Sequence, residues 1–307
     1  MTIAIQKVHP LFVGEVSGLD FTKPVDSATI TQIETAMDKY AVLVFHDQHI
    51  SDEQQLSFSE KFGPLETVVR SNLTRISQKL ADISNINEDN SIRPFDDERR
   101  LYSVANRLWH TDSSFRRIPA KYSMLSAREV PACQGGETEF ADMRAAYDAL
   151  PEKTKKLVKD LVAVHSLAHS RSKMGFEIPE EEKDKLPPAS QRIVRTLPGS
   201  NRKTLYLASH ASHIVGWPVP EARALLFDLI EFATQREFVY RHHWRVGDIV
   251  MWDNRCTMHR VRAYDTSQRR DLRRSTIEDV ASTLEQAGCD SSDTVHLPAS
   301  RGLEENM

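Results

Sequence analysis

The sequence has 307 residues, of which 40% are hydrophobic and 27% are charged, and its formal net charge at pH 7 is −4. This composition is typical of a globular protein that forms one elaborated domain or two small ones. The slightly acidic balance provides no global positive field for nucleic acid or an anionic membrane. Apolar runs such as AVLVF at residues 41–45 are too short to span a bilayer. We therefore expect neither a nucleic-acid nor a membrane partner.

The first residues lack the charged and apolar regions of a secretory signal. The three cysteines, Cys133, Cys256 and Cys289, are widely spaced and odd in number, so they predict neither a disulfide framework nor a CxxC zinc site. We therefore expect a reducing, cytoplasmic location. The sequence leaves open whether the protein forms a homo-oligomer.

The first elements are predicted from periodicity and caps. Apolar residues recur on one face of residues 27–40, which predicts a helix, and residues 41–45 then predict a buried strand. Residues 50–63 predict a second helix, with Ser51 as its N-cap and Gln54 at the capping-box position.

The central part of the chain alternates between strands and helices. The polar, proline-containing residues 88–103 predict a loop, and residues 120–130 (AKYSMLSAREV) predict a strand. Residues 131–140 predict a Gly-Gly turn that leads into another strand. Residues 143–162 predict two helices that are split before Pro151.

The second half contains mostly short strands. Residues 171–201 are charged and proline-rich, which predicts a lid insertion, and residues 288–307 lack periodicity, which predicts a flexible tail. Between them, short strands alternate with turns around a helix near residues 221–234. We predict a mixed β fold with α-helices, namely a β-sandwich or jelly roll decorated with helices, in a single domain over residues 1–287.

The stretch RLWHTDSSF at residues 107–115 contains a candidate metal site. In a strand, His110 and Asp112 project to one face while Thr111 projects to the other. Imidazole and carboxylate together suit a first-row transition metal, and a third ligand is needed. His259, in WDNRCTMHR, lies 147 residues beyond Asp112 and would complete the two-histidine, one-carboxylate facial triad of non-haem iron(II) oxygenases.

Residue types alone leave this assignment open. An isolated HxD is more often a surface pair than a metal site. The chain has 12 histidines, and the His242–His243 pair and the His210/His213 pair compete with His259 for the position of third ligand.

Longer matches favour the metal site. In chain order they are LVFHDQHISDEQQLSFSEKFGPLE, LWHTDSSF, GGETEFADMRAAYDALP, TQREFVYRHHWRVGDIVMWDNRCTMHR and RRDLRRST, within about residues 10–280. With these motifs the chain resembles the taurine/2,4-dichlorophenoxyacetate dioxygenase family, and in particular its 2,4-dichlorophenoxyacetate branch. The resemblance implies a double-stranded β-helix, that is, a jelly-roll core. It further implies Fe(II) on His110, Asp112 and His259, with 2-oxoglutarate and O2 as cosubstrates.

The resemblance also implies the anion sites. Arg270 and Thr138 would bind 2-oxoglutarate, since a guanidinium fork matches a carboxylate. Arg274 would pair with the anionic group of the substrate, and on a strand it would face the same way as Arg270. Without the resemblance, RRDLRR is better explained as a solvated basic edge strand.

Further residues are predicted to contact the substrate. His210 and His213 resemble a histidine pair near the substrate pocket of the same branch, although they are equally compatible with partly buried surface positions. Trp252 is either a pocket residue or part of the core. Residues 66–102 should line the pocket, although they could not be matched to the family.

The predicted activity is oxidation of an unactivated C–H bond in a small anionic organic substrate by an iron(II) dioxygenase that releases succinate and CO2. For an aryloxyalkanoate-like carboxylate, hydroxylation would lead to ether cleavage. The same oxidant could hydroxylate, desaturate or cyclise an amino acid or another natural carboxylate or sulfonate. A non-enzymatic alternative is a metal-binding jelly-roll sensor of a small acid. A zinc hydrolase is disfavoured because no HExxH-like motif is present, and a nucleic-acid demethylase would need a basic groove.

Overall fold

The structure, a computed structural model, describes residues 3–68, 77–132 and 135–286. Its strands are β1 (Ala4–Lys7), β2 (Gly14–Ser17), β3 (Val42–Phe45), β4 (Ala81–Ser84), β5 (Ala120–Glu129), β6 (Thr138–Asp142), β7 (Val162–His165), β8 (Ala189–Arg192), β9 (Val194–Thr196), β10 (Lys203–Leu205), β11 (Ala211–Ile214), β12 (Val239–His242), β13 (Ile249–Asp253), β14 (Thr257–Val261) and β15 (Asp271–Glu278).

The helices lie mostly between the strands of the first and middle parts of the chain. They are α1 (Ser27–Tyr40), α2 (Asp52–Ser59), α3 (Glu98–Ser103), α4 (Met143–Ala149), α5 (Glu152–Val158), α6 (Leu167–Ser172), α7 (Glu180–Lys183) and α8 (Val219–Ala233). No helix in the described ranges is long and apolar enough to cross a membrane.

The strands form one large sheet and three smaller ones. The large sheet has the order β1-β2-β3-β13-β5-β15-β4, and a three-stranded sheet has the order β12-β6-β14. The other two are β11-β7-β8 and the pair β10-β9. Except for β2 with β3, all strand pairs are antiparallel among the described residues. The fold is therefore a mixed α/β arrangement of mainly antiparallel sheets.

The β12-β6-β14 sheet packs on one face of the large sheet. Phe140 from β6 joins an apolar cluster whose other buried members include Leu125 of β5, Trp252 of β13 and Leu272 of β15. The ring centroids of Phe140 and Trp252 are 5.4 Å apart. Burial of these alternating side chains stabilises the contact between the sheets, because each strand contributes one face to the shared core. The other face of the large sheet packs on α1 and α2.

Several predicted elements are confirmed. α1 has the predicted bounds, and α2 begins after Ser51, whose side chain accepts a hydrogen bond from the Gln54 amide while the Gln54 side chain accepts one from the Ser51 amide. The predicted split before Pro151 separates α4 from α5. The prediction of a loop over residues 88–103 is wrong at its end, where Asp97 caps α3 by accepting from the Arg99 and Arg100 amides.

The predicted lid segment, residues 171–201, has more regular structure than its composition indicates. It contains α7, β8 and β9, and β8 pairs with β7. Ile193, between the two strands, is fully buried. Cys256 is a buried free thiol. Cys133, Cys289 and the predicted tail, residues 288–307, lie outside the described residues.

Candidate metal centre

Backbone pairing brings His110 and His259 together. The His110 amide donates to the His259 carbonyl at 3.0 Å, and the His259 amide donates to the His110 carbonyl at 2.8 Å. His259 belongs to β14, whereas the strand predicted around His110 is reduced to this single bridge. Asp112 instead begins a turn, which continues through Ser113 with a positive φ of 54°. The turn still directs the Asp112 carboxylate towards both imidazoles.

The three side chains converge on one point. One ligand atom from each of His110, Asp112 and His259 lies within 4.8 Å of the other two, and all three residues are buried. Nε2 of His110 is 3.9 Å from Asp112 Oδ1, and Nε2 of His259 is 3.8 Å from Asp112 Oδ2. Within the described ranges, this is the only cluster of three such residues that could hold a metal ion. The competing pair His242–His243 is elsewhere, where His242 Nε2 contacts Asp248 at 3.0 Å.

The protonation states suit metal binding. Burial lowers the pKa of His110 and lowers that of His259 well below its usual value. Burial acts against ionisation of Asp112, but the positive charge of Arg274 keeps the Asp112 pKa below its ordinary value. Both imidazoles are therefore neutral and the carboxylate is ionised, which are the forms that ligate a metal.

Hydrogen bonds fix the ligands in position. Nδ1–H of His110 donates to the Leu108 carbonyl at 2.8 Å, which leaves Nε2 as the nitrogen available to a metal. Ser123 Oγ donates to Asp112 Oδ2 at 2.8 Å. Asn254 connects this pair to the backbone, because its Nδ2 donates to Ser123 Oγ at 2.9 Å and its Oδ1 accepts from the Asp112 amide at 3.2 Å.

Trp252 packs against His259 and does not line the cavity. Its Nε1 donates to Asn254 Oδ1 at 3.0 Å, and its ring centroid is 4.7 Å from that of His259. Sequence reasoning noted Trp252 but missed Ser123 and the role of Asn254. Ser123 could have been found as a hydroxyl residue on a strand predicted to be buried, since buried polar groups need partners.

The donor set fits a resident metal ion. Two neutral imidazoles and one carboxylate are the ligands of the iron(II) facial triad, and none of them is a soft thiolate. Nδ1 of His259 is buried and has no hydrogen-bond partner among the described residues. The separations between the Nε2 atoms and the Asp112 oxygens exceed hydrogen-bonding distance. The ligand atoms are thus gathered without being hydrogen-bonded to each other.

Arg274 contacts the triad directly. Its Nη1 donates to Asp112 Oδ1 at 2.5 Å. Arg274 lies on β15, where it pairs with Leu125 of β5 and with Ala81 of β4. The sequence placed Arg274 near the substrate but gave no indication of this ion pair with a metal ligand.

A cavity of about 280 Å³ opens onto the centre. His110, Asp112, Arg270 and Arg274 all line it, even though Arg270 precedes β15 and the strand has a register shift at Asp271. The prediction that residues 66–102 line the pocket is confirmed for the described part: Glu66–Val68, Lys79, Ala81–Ser84, Arg93, Arg99, Arg100 and Tyr102.

Arg270 lines the cavity, whereas Thr138 is not among its lining residues. Arg270 is 4% exposed, and its Nη2 donates to the Gly136 carbonyl at 3.1 Å. Burial lowers the pKa of Arg270, and none of the described carboxylates forms an ion pair with it. Thr138, two residues from Gly136, is buried, and its Oγ1 accepts from Trp244 Nε1 at 3.0 Å.

The two predicted substrate histidines are separated. His210 lines the cavity, with its ring centroid 6.1 Å from that of His110 and 5.0 Å from that of Phe115. Burial lowers its pKa far below the ordinary value. His213 does not line the cavity, and its Nδ1 lies 2.9 Å from Ser212 Oγ. His213 lies on β11, whereas His210 precedes this strand, so the expected pair of substrate histidines is reduced to His210.

Glu66 is a second buried carboxylate in the cavity. Burial raises its pKa to about 7, against the opposing effects of Arg116 and Ser113. Ser113 Oγ donates to Glu66 Oε2 at 2.5 Å, while Glu66 Oε1 has no hydrogen-bond partner among the described residues. Glu66 begins the segment that was predicted to line the pocket, but its burial as a carboxylate was not predicted.

Comparison with known proteins agrees with the geometry. The model of the taurine catabolism dioxygenase TauD, TfdA family matches residues 4–276. The chain is 46% identical to the alpha-ketoglutarate-dependent 2,4-dichlorophenoxyacetate dioxygenase of Cupriavidus pinatubonensis, over 92% of this chain and 99% of that protein. It is 38% identical to the (S)-phenoxypropionate/alpha-ketoglutarate-dioxygenase of Sphingobium herbicidovorans, over 82% and 87%.

A solved structure is similar over almost the whole chain. The crystal structure of AAD-2 in complex with Mn(II) and N-oxalylglycine superposes with a TM-score of 0.86 and 53% identity, covering 93% of this chain and all of that one. Sequence, fold and the His110/Asp112/His259 cluster thus agree, and the chain belongs to the TauD/TfdA family of dioxygenases.

Proposed function

We propose that the protein is an Fe(II)- and 2-oxoglutarate-dependent dioxygenase that oxidises the C–H bond next to the ether oxygen of an aryloxyalkanoate-like carboxylate. The observation that carries this proposal is the convergence of His110, Asp112 and His259 beside a cavity that also holds a buried arginine, Arg270, without a carboxylate partner among the described residues. The relatives that act on 2,4-dichlorophenoxyacetate and phenoxypropionate support the substrate class.

His110, Asp112 and His259 would hold Fe(II), and His110 and Asp112 also line the cavity. When bound, the iron supplies activation of O2 and oxidation of the substrate C–H bond. The protein contributes orientation and exclusion of water. Ser123 and Asn254 keep the Asp112 carboxylate aimed at the ion, and Trp252 packs against His259. Such outer partners commonly affect metal affinity about 10- to 100-fold.

Arg270 and Thr138 bind 2-oxoglutarate. A dianion that enters the cavity would pair with the buried guanidinium of Arg270, and this pairing would offset the desolvation that lowers its pKa. Thr138 would add a hydroxyl from β6, with Trp244 fixing its orientation through Thr138 Oγ1. The complex of AAD-2 with N-oxalylglycine supports a 2-oxoglutarate site, because N-oxalylglycine differs from 2-oxoglutarate only by NH in place of one CH2 group.

Arg274 and His210 contact the substrate, since both line the cavity beside the metal ligands. Trp252 acts through His259 and not by touching the substrate. A substrate contact of His213 stays a prediction without structural support, because this residue does not line the cavity.

The reaction consumes one O2 and one 2-oxoglutarate per substrate. One oxygen atom enters succinate and the other forms a hydroxyl group on the carbon beside the ether oxygen, while CO2 is released. The resulting hemiacetal breaks its C–O bond, transfers its proton to the aryl oxygen and gives a phenol and a 2-oxoacid. No further oxidant is needed.

The double-stranded β-helix is the architecture we assign to the core, with the large sheet and the β12-β6-β14 sheet as its two layers. Their packing through Phe140 and Trp252 supports this assignment. We further propose one domain over residues 1–287, with a lid within residues 171–201. Strands β8 and β9 pair with neighbouring strands, so lid movement would be confined to the part of this segment before Ala189. The flexible tail and the cytoplasmic location stay predictions.

The test begins without oxygen. Fe(II) and 2-oxoglutarate are added anaerobically, and the weak visible charge-transfer band of the chelate is recorded. Oxygen is then admitted with a panel of carboxylates, and succinate and phenol are measured. We expect the band, and release of phenol from aryloxyacetates. Absence of the band would refute the dioxygenase, while a band without succinate from any member of the panel would favour the small-acid sensor. Succinate formation only with natural carboxylates or amino acids would favour hydroxylation, desaturation or cyclisation in a biosynthetic reaction.

A further inference from the structure

The cavity has more buried positive charge than its own carboxylates balance. Among its lining residues, three arginines are buried: Arg93, Arg171 and Arg270. Arg93 is paired with Asp82 at 2.8 Å. Neither Arg171 nor Arg270 forms an ion pair with any carboxylate in the described ranges, and Arg171 Nε is buried without a hydrogen-bond partner there. A buried cation without a counter-ion costs free energy, so both positions favour an anionic ligand.

The proposed reaction supplies two anions, and Arg270 accounts for one of them. Arg274, the residue that the sequence assigned to the substrate, already has a carboxylate partner, because its Nη1 donates to Asp112. Arg171 has none. We propose that Arg171 binds the anionic group of the substrate and thereby selects carboxylates over neutral analogues. This inference rests on the proposed function and deepens it, since it names the residue that recognises the substrate anion.

The placement of Arg171 agrees with the chemistry. In an aryloxyacetate the oxidised carbon is bonded to the carboxylate carbon, about 1.5 Å away, so the cation that binds the carboxylate must be near the metal centre. Arg171 lies on α6 one helical turn after Leu167, so that both side chains share a face, and both line the cavity. The residue before α6, Ser166, donates its amide to the His210 carbonyl at 2.8 Å, and the His210 ring neighbours that of His110.

The guanidinium of Arg171 lies over an aromatic ring. The Cζ atom of Arg171 lies 4.2 Å from the ring centroid of Tyr102, and Tyr102 contacts Phe176 with a centroid distance of 5.6 Å. A cation in this position is attracted by the ring, and a planar guanidinium can match a carboxylate in a bidentate arrangement. Phe115 and Leu167 pack together next to it and provide an apolar surface for an aryl ring.

Binding can be measured without turnover. Protein loaded with Mn(II) and N-oxalylglycine is titrated calorimetrically with 2,4-dichlorophenoxyacetate and, separately, with the corresponding neutral amide. We expect the wild-type protein to prefer the carboxylate. In Arg171→Met the carboxylate should bind about 10- to 100-fold more weakly, because a charge-assisted hydrogen-bonded pair is lost, while binding of the amide should change little. Arg171→Lys should retain part of the preference, since it keeps the charge without the planar fork.

A matched control removes a positive charge outside the cavity. Arg223 lies on α8, is exposed and donates to the Ser212 carbonyl. Arg223→Met should leave the preference for the carboxylate unchanged. Affinity for N-oxalylglycine, measured on every variant, reports whether the cavity has kept its structure.

The other outcomes contradict the role of Arg171, anion recognition in general or the proposed function itself. Unchanged carboxylate affinity in Arg171→Met, or an equal loss for acid and amide, would leave Arg171 with only a structural role while the proposed function stands. A wild-type protein that gives the Fe(II) and 2-oxoglutarate band but does not prefer the acid would refute anion recognition. Absence of the band would remove the proposed function itself.

Discussion

Two walls of the same cavity differ in how completely their carboxylates and arginines are paired. The strand wall consists of Asp112 and Arg274, which line the cavity, and of Ser123 and His259, which adjoin Asp112. Asp112 accepts hydrogen bonds on both carboxylate oxygens, and one of them comes from Arg274. The loop wall consists of Glu66, Tyr102 and Arg171, which come from a loop, α3 and α6. Among the described residues, Oε1 of Glu66 has no hydrogen-bond partner and Arg171 forms no ion pair.

The difference indicates that the strand wall positions the metal ligands and that the loop wall binds the substrate. Paired strands hold side chains at fixed separations, as the His110–His259 bridge shows, and this suits ligands whose geometry must be constant. In the loop wall, one carboxylate oxygen lacks a hydrogen-bond partner and one guanidinium lacks an ion-pair partner among the described residues, and a ligand that binds there can offset this energetic cost. We therefore expect changes in the strand wall to affect the metal, and changes in the loop wall to affect the substrate and stability.

The largest effect is expected for Asp112→Ala, in the strand wall. Metal affinity should fall more than about 100-fold, since even outer partners of metal ligands contribute about 10- to 100-fold. Succinate formation should fall to background. Binding of Mn(II) is measured by calorimetry, with Asp89→Ala as the control because Asp89 accepts only from exposed Ser91. Retained metal binding in Asp112→Ala would contradict the ligand assignment.

Arg270→Met should act on the cosubstrate alone. Removing one partner of a buried charged pair costs about 2 kcal/mol or more, so the affinity for 2-oxoglutarate should fall about 30-fold or more. Affinity for Mn(II) in the absence of 2-oxoglutarate should not change. Arg107→Met is the control, because Arg107 lines the same cavity but is exposed. An equal loss of 2-oxoglutarate affinity in both variants would show that Arg270 contributes only to the overall positive potential of the cavity.

Ser123→Ala tests the support of the strand wall. It removes the hydroxyl that donates to Asp112 Oδ2, and metal affinity should fall about 10-fold. Ser126→Ala is a matched control on the same strand, since Ser126 is also buried but donates to Gln55 Oε1. Metal titration of both variants gives the comparison. The same loss in Ser126→Ala would indicate a general effect on β5.

Glu66→Gln tests the loop wall through stability. Burial raises the folded-state pKa of Glu66 from 4.5 to about 7, so the folded protein binds this proton more tightly than the unfolded chain. The free energy of unfolding therefore falls as pH rises through that interval. In the metal-free protein, Glu66→Gln should be more stable than wild type by about 1–3 kcal/mol at about pH 8, with a smaller difference at about pH 5.

Urea unfolding at both pH values measures the Glu66 effect. Glu285→Gln is the control, because Glu285 is an exposed partner of Arg117. A difference between wild type and Glu66→Gln that does not depend on pH would show that Glu66 is ionised in the folded protein.

Elements specified by local signals could be predicted. The capping box of Ser51 and Gln54 depends on residues three apart, and the split at Pro151 depends on the proline itself. Helix α3 was missed because its signal, Asp97 as N-cap, lies in a polar stretch without apolar periodicity. Strands β8 and β9 were missed for a different reason, since both are short and lie in a charged, proline-rich segment, and β8 pairs with β7, which precedes that segment.

The candidate site was predictable in residue type but not in its contacts. HxD nominated His110 and Asp112, and the family motifs selected His259 from the other histidines. The resemblance assigned His213 a place beside His210, whereas only His210 lines the cavity. Glu66 fell at the edge of the predicted pocket segment without a sign of its burial, and Ser123 and Arg171 were not indicated, because no local pattern distinguishes these residues from others of their type.

The sequence by itself determined the chemistry available to this protein: two imidazoles and a carboxylate of defined spacing, several arginines, and helices whose caps are encoded within a few residues. Only the tertiary structure decided which of these groups meet. The ion pair of Arg274 with Asp112 joins residues 162 positions apart, and the lack of an ion pair to Arg171 among the described residues depends on every described element around the cavity. Contacts of this kind follow from sheet register and packing, which are properties of the whole folded chain.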